Sequence, residues 1–105
     1  MLPKIKTLTQ AKAIVATAEK HPIAGFDEHG NVAFNGDRYG HLYAYDMQDG
    51  TWIITHYVSC GIYGKGNSRK EALLDFINAN PKIKEHVLGL KKQRKQAATI
   101  VERYK

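Results

Sequence analysis

A single cysteine, Cys60, leaves this chain without the means to close an internal disulfide, so its fold must rest on packing alone. Prolines are few, and no low-complexity tract or flexible linker interrupts the 105 residues, which predicts one domain spanning 1–105. No run of ~20 apolar residues is present to span a membrane, and no positively charged segment precedes a signal-like apolar stretch. A soluble, cytoplasmic protein is the expectation. The five histidines are scattered without the Cys/His spacing of a zinc site, so neither a metal nor another cofactor is expected. Acidic residues are scarce where they matter most. Residues 81–105 hold only Glu85 and Glu102 against Lys82, Lys84, Lys91, Lys92, Arg94, Lys95, Arg103 and Lys105, whereas the rest of the chain carries eight charges of each sign. The net charge of +6 is thus a property of one segment, and it points to an anionic partner.

Thr7 and Gln10 have the spacing of a capping box, so a helix is expected to start there. Leu8, Ala11, Ile14, Val15 and Ala18 recur at three and four residues until His21-Pro22, where proline disfavours helical geometry in the residue before it. The stripe is narrow and rich in alanine, which predicts close approach to its neighbour. Residues 23 to 35 read as a hairpin. Placing Glu28, His29 and a left-handed Gly30 in its loop pairs Phe26 with Val32 and Ala24 with Phe34, all on one face. After the turn cluster Asn35-Gly36-Asp37, residues 39 to 47 and 51 to 60 form a second strand pair about Asp49-Gly50. That two-residue turn sets Met47, Tyr45, Tyr43 and His41 opposite Trp52, Ile54, His56 and Val58 on the core face. Leu42, Ala44, Asp46, Ile53, Thr55 and Tyr57 then lie outside. Ser68 and Glu71 cap a second helix carrying Ala72, Leu73, Phe76 and Ile77, which Asn80-Pro81 stops.

Residues 82–104 follow as a basic C-terminal helix with Ile83, Val87, Leu90, Arg94, Ala97, Val101 and Tyr104 at alternating steps of four and three. This seam fits packing on the sheet or on a second copy of the chain alike, so a homodimer through the helix is one expectation. The expected fold class is α+β: an N-terminal helix, a four-stranded antiparallel meander and two C-terminal helices.

No catalytic set emerges. A chain this short buries about two thirds of its unfolded surface, which leaves little room for a deep cleft, and a non-enzymatic protein is expected. His56 and Cys60 share a strand face but lie two strand steps apart, too far for a nucleophilic pair; both are expected in the core, the histidine neutral against Tyr43 and the thiol inert.

The stretch Gly64-Lys65-Gly66-Asn67-Ser68-Arg69-Lys70-Glu71-Ala72 carries more information. Arg69 and Lys70 in the first helical turn oppose the helix dipole, a placement that makes sense if an anion docks on the free amides there, with Lys65 beside them. The plain alternative is a tight strand-to-helix turn with solvated charges. It is not a Walker loop, whose glycine spacing it lacks. Lys91, Lys92, Arg94 and Lys95 cover most directions around one helical turn, as either a phosphate-binding cluster or a solubilising surface. The apolar side of that helix lacks Trp and Phe, which argues against a membrane surface. Tyr39, Tyr57 and Tyr63, outside the core, suit stacking on bases or anchoring at a protein interface.

The segment Gly64-x-Gly66-x-Ser68-Arg69-Lys70-Glu71-Ala72 resembles the Gly-x-Gly-x-Ser-Lys-Lys-x-Ala segment of double-stranded-RNA-binding domains, and the order helix, antiparallel strands, helix is similar. His41 with Tyr45 looks like that family's His-x-x-x-aromatic element. The resemblance implies that Arg69 and Lys70 touch phosphates across a groove and that His41 lies near the neighbouring minor groove. Leu73 stands where the family has a basic residue, and the hairpin at 23 to 35 and the helix after Pro81 fall outside its pattern. Gly66-x-Ser68-x-x-Glu71-Ala72-Leu73 also resembles the strand-to-helix step of HicB-type antitoxins.

Two functions follow as expectations. The first is a small binding module that holds the backbone of duplex RNA or DNA with little regard to base sequence, through Lys65, Arg69, Lys70, Lys91, Lys92, Arg94, Lys95 and His41. The second is an inhibitor of the phage or mobile-element kind, directed at a CRISPR or restriction protein. It would bind an acidic protein surface through Tyr39, Tyr57 and Tyr63.

Overall fold

In a computed structural model that describes residues 4–105, the Thr7 box opens the first helix, α1 (Leu8–Lys20). The Thr7 hydroxyl accepts the Gln10 amide at 3.1 Å, and the Gln10 carboxamide oxygen accepts the Thr7 and Lys6 amides at 3.2 and 2.7 Å. Five antiparallel strands follow in chain order: β1 (Ala24–Phe26), β2 (Asn31–Phe34), β3 (Asp37–Asp46), β4 (Trp52–His56) and β5 (Ile62–Gly66). Two helices complete the α+β chain, α2 (Arg69–Ala79) and α3 (Pro81–Arg103).

The sheet has one strand more than the sequence pattern suggested. The run 51 to 60 stops at His56, whose Nδ1 accepts the amides of Val58 and Ser59 and turns the chain through Cys60, held at a left-handed φ of 52°. The chain then returns as β5. Cys60 is therefore exposed at a turn instead of buried in the core, and His56 sits half-buried against the ring of His41, with centroids 5.8 Å apart.

The first hairpin pairs as its loop predicts, Ala24 with Phe34 and Phe26 with Val32, with Gly30 at a φ of 83°. Asp27 closes that loop. Its carboxylate accepts the Asn31 and His29 amides, each at 2.9 Å, and the Asn31 carboxamide at 3.1 Å. These bonds, the Asn31 amide foremost, hold the Asp27 pKa below the ordinary 3.8 against the opposing effect of burial. A depressed carboxylate contributes stability that is present above its unfolded pKa and is lost as pH falls through the folded value. The thermal midpoint is therefore expected to fall on acidification below the ordinary carboxylate range, and Asp27→Asn to flatten that fall. Melting curves of both proteins between pH 6 and pH 2 with equal slopes would count against the assignment.

The second strand pair differs from its expected register by one residue. Asp46 pairs with Trp52, Ala44 with Ile54 and Leu42 with His56, because the connection is a longer loop in which Gln48 and Gly50 both take positive φ. The Asp46 and Asp49 carboxylates brace that loop by accepting the amides of Gln48 and Thr51, each at 2.9 Å. A shift of one residue turns a whole strand over. Leu42 and Ala44 thus face the core, while Tyr43 and Tyr45 face outward with Ile53 and Thr55.

The core lies between the inner face of the sheet and α2. Val32, Phe34, Leu42 and Ile54 meet Ala72, Leu73, Phe76 and Ile77, with Val87 and Leu90 of α3 closing one side. The sheet curls around α2, which touches both β5 and β1 at the two edges. Gly64 and Gly66 on β5 make this possible. A Cβ on Gly64 would strike the Ala72 carbonyl and lie 2.8 Å from the Phe76 Cβ, and one on Gly66 would lie 2.5 Å from the Glu71 Cβ.

The seam of α3 is used within the chain: Val87, Leu90 and Ala97 are buried. Its second half pairs with α1, and Ala11 and Ala97, both fully buried, allow the two helices a close approach. The helix pair extends one end of the molecule, which measures 51 × 25 × 22 Å. No helix among the described residues is long and apolar enough to cross a membrane.

Candidate functional site

The cations singled out from sequence fall on two surfaces, one where β5 enters α2 and one along α3. Lys65 lies on the outer face of the sheet opposite Ile53, and its backbone amide is fixed by the Asp75 carboxylate at 3.0 Å. Arg69 opens α2 with its guanidinium 5.3 Å above the ring of Phe26, a cation–π contact that ties the helix start to the far edge of the curled sheet. Lys70 is exposed beside it. The amides expected to receive an anion are in part already taken: Ser68 Oγ accepts the Glu71 amide at 3.1 Å and the Glu71 carboxylate accepts the Asn67 amide at 2.8 Å. Glu71 thus answers the helix dipole from within the chain. Lys70 remains exposed at this corner, while Lys65 projects from the outer sheet face and the Arg69 guanidinium is engaged on the Phe26 ring.

On α3, Lys91, Lys92 and Lys95 are exposed, but Arg94 turns inward. Its guanidinium donates to the Asn35 carboxamide oxygen in the β2–β3 turn, its Nε is buried without a partner, and burial lowers its pKa. Arg94 is therefore a structural strut, turned away from the exposed lysines expected beside it. Lys92, Lys95 and Arg103 recur on another face of the helix, where they line a groove of about 700 Å³ together with Lys4 from the segment before α1. Ile5 and Ile100 supply its apolar lining. Among the described residues, ion pairs join Glu28 to His29 and Glu102 to Lys105, so the cations of this groove are not committed to carboxylates of the chain.

Lys4 and Arg103 were missed as site residues by reading the sequence. The spacing of Lys92, Lys95 and Arg103 was visible as a helical stripe. Lys4 joins it only because α1 runs back along α3 in the opposite direction, which brings the start of α1 to the end of α3.

His41 is exposed in the first half of β3, where Arg38 donates to its Nδ1 at 3.2 Å. The tyrosines separate into two settings. Tyr39 leans edge-on against Phe34 with centroids 5.2 Å apart, so it covers the core as much as it faces solvent. Tyr57 is 55% exposed and stacks on Tyr43 at 4.4 Å, while the Tyr63 hydroxyl lies 2.7 Å from Ser59 Oγ. Tyr45, expected in the core, is 50% exposed on the same outer face. Among the described residues no group of three or more His, Cys, Asp or Glu side chains is placed to hold a metal ion.

No family model, no curated protein and no solved structure matches this chain.

Proposed function

We propose that this protein binds nucleic acid, holding the phosphate backbone with little regard to base sequence, and that the groove formed by Lys4, Lys92, Lys95 and Arg103 is its principal contact. The observation that carries this reading is the alignment of four uncommitted cations along one groove. Cations spaced along a helix suit a polyanion, because each phosphate neutralised releases counterions and adds to the affinity. Lys65, Arg69 and Lys70 provide a second set of contacts, as the likeness to double-stranded-RNA-binding domains implies, and Lys91 a further one. His41, with the Arg38 guanidinium beside it on β3, offers a separate contact.

The test is affinity for short duplex RNA, duplex DNA and single strands across a salt series. Binding that weakens steeply and linearly on a log-log salt plot is expected, with little difference between base sequences. Absence of binding to every form at physiological salt would overturn the reading.

A further inference from the structure

The face of the sheet that α2 does not cover is an ordered aromatic surface, and its order is the informative part. Register places Asn31, Tyr43, Thr55 and Ile62 in one row across four strands, and Tyr45, Ile53 and Lys65 in the next. Tyr57, just past the end of β4, lies against Tyr43 with an interplanar angle of 26°. Its hydroxyl donates to Asn31 Oδ1 at 3.2 Å, and Asn31 is in turn held by the Asp27 carboxylate through its own side-chain amide. Asn31 is only 4% exposed, an unusual place for a carboxamide on the outer side of a sheet. It serves there as an anchor that fixes the Tyr57 ring while half of that ring's surface stays open to solvent. A tyrosine needed only for packing would not require a part-buried chain of hydrogen bonds to hold an exposed ring.

We infer that this face stacks unpaired nucleotides, with Tyr45 and Tyr57 as the ring platforms and Lys65 as the phosphate contact. The inference rests on the nucleic-acid reading above and specifies the form of the ligand: a single strand, or a single-stranded tail beside a duplex. Three features select bases over a protein partner. The Asp27 carboxylate beside Asn31 at the β1 edge of this face is engaged by the Asn31 and His29 amides and the Asn31 carboxamide, while the β5 edge carries the cation Lys65. Lys65 projects from this face at its β5 edge, opposite Ile53, so a strand stacked on the tyrosines meets a cation there. Same-face neighbours along a strand are spaced by ~6.8 Å and adjacent strands by ~4.8 Å, which leaves Tyr45 and Lys65 about 10 Å apart, within the span of one or two nucleotides. Stacking on tyrosine also tolerates any base, in keeping with a backbone-led mode of binding.

The experiment compares a 15-nucleotide oligo(U) with a blunt 15-base-pair RNA duplex, binding each to the full chain and to three variants, with thermal midpoints recorded throughout. Tyr45→Ala and Tyr57→Leu are each expected to lower affinity for oligo(U) roughly tenfold or more while changing duplex affinity less than about twofold. Tyr57→Phe keeps the ring and removes only the bond to Asn31, so it is expected to lose a smaller part of the oligo(U) affinity, and it guards against misreading a folding defect in Tyr57→Leu. Unchanged oligo(U) affinity in Tyr45→Ala and Tyr57→Phe, with duplex binding intact, overturns the stacking site and leaves the backbone reading standing. If neither oligo(U) nor the duplex binds the unmodified chain, both readings fall, and the exposed tyrosines become anchors for a protein.

Discussion

Replacing Lys4, Lys92, Lys95 and Arg103 together by glutamine is expected to lower affinity for nucleic acid about a thousandfold near physiological salt, taking ~1 kcal/mol for each exposed charge-assisted contact. The plot of log K against log salt should flatten by about three, since each phosphate released contributes ~0.7 to 0.9 to the slope. The fold should survive, because these side chains are exposed and line a shallow groove without carboxylate partners. Arg94→Gln supplies the opposite result from the same helix. Its guanidinium joins α3 to the β2–β3 turn, so this variant should lose about 1–3 kcal/mol of stability by stranding buried polar groups, yet keep the salt slope. A binding isotherm and a denaturation curve for each variant separate the two roles. If the Arg94 change flattens the slope and the fourfold change does not, the groove is not the binding site.

That contrast also shows where reading the sequence succeeds and where it stops. The cluster Lys91, Lys92, Arg94 and Lys95 was legible as charge, but charge alone does not tell which member faces inward. The seam of threes and fours did contain that information, because it runs through position 94 between Leu90 and Ala97, both buried. The first helix, its cap and the first hairpin follow from local chemistry: a capping box needs only residues 7 to 10, and the pairing of Phe26 with Val32 needs only a short loop with a left-handed glycine. The second strand pair departs for an equally physical reason. Asp49-Gly50 favours a two-residue turn, but the Asp46 and Asp49 carboxylates accept amides two residues on and stabilise a longer loop, and the register moves by one. That single step exchanged Tyr43 and Tyr45 for Leu42 and Ala44 in the core and set the two tyrosines on the outer face, with Tyr45 half exposed. Lys4 was illegible in principle, since its partners lie some ninety residues away in the chain and meet it only through the antiparallel packing of α1 on α3.

Gly64→Ala is the second change with a large expected effect, and it decides what the glycine-rich segment is for. If Gly64 and Gly66 shaped a cradle for phosphate, a methyl group at position 64 would weaken binding and leave the fold alone. The packing predicts the reverse. The added carbon meets the Ala72 carbonyl and the Phe76 Cβ, both on the face of α2 that lies on β5. The helix has no freedom to retreat, because Ala72, Leu73, Phe76 and Ile77 are all buried in the same core. Overpacking of this kind costs about 1–3 kcal/mol, and contact with backbone places it at the upper end. Domains have only about 5–15 kcal/mol in total, so the variant should unfold at a much lower urea concentration. Gly30→Ala is the calibrating change: its new methyl meets nothing within 4 Å, and it bears only the ~1–2 kcal/mol cost of a left-handed φ at 83°. Gly64→Ala should therefore be the more damaging of the two although its backbone angles suit any residue. Its folded fraction should bind nucleic acid with unchanged affinity, because the cations at this corner, Lys65, Arg69 and Lys70, act through side chains that the substitution does not touch. A Gly64→Ala protein with normal stability and impaired binding would restore the phosphate cradle and remove the close packing of α2 on β5 as the reason for these glycines.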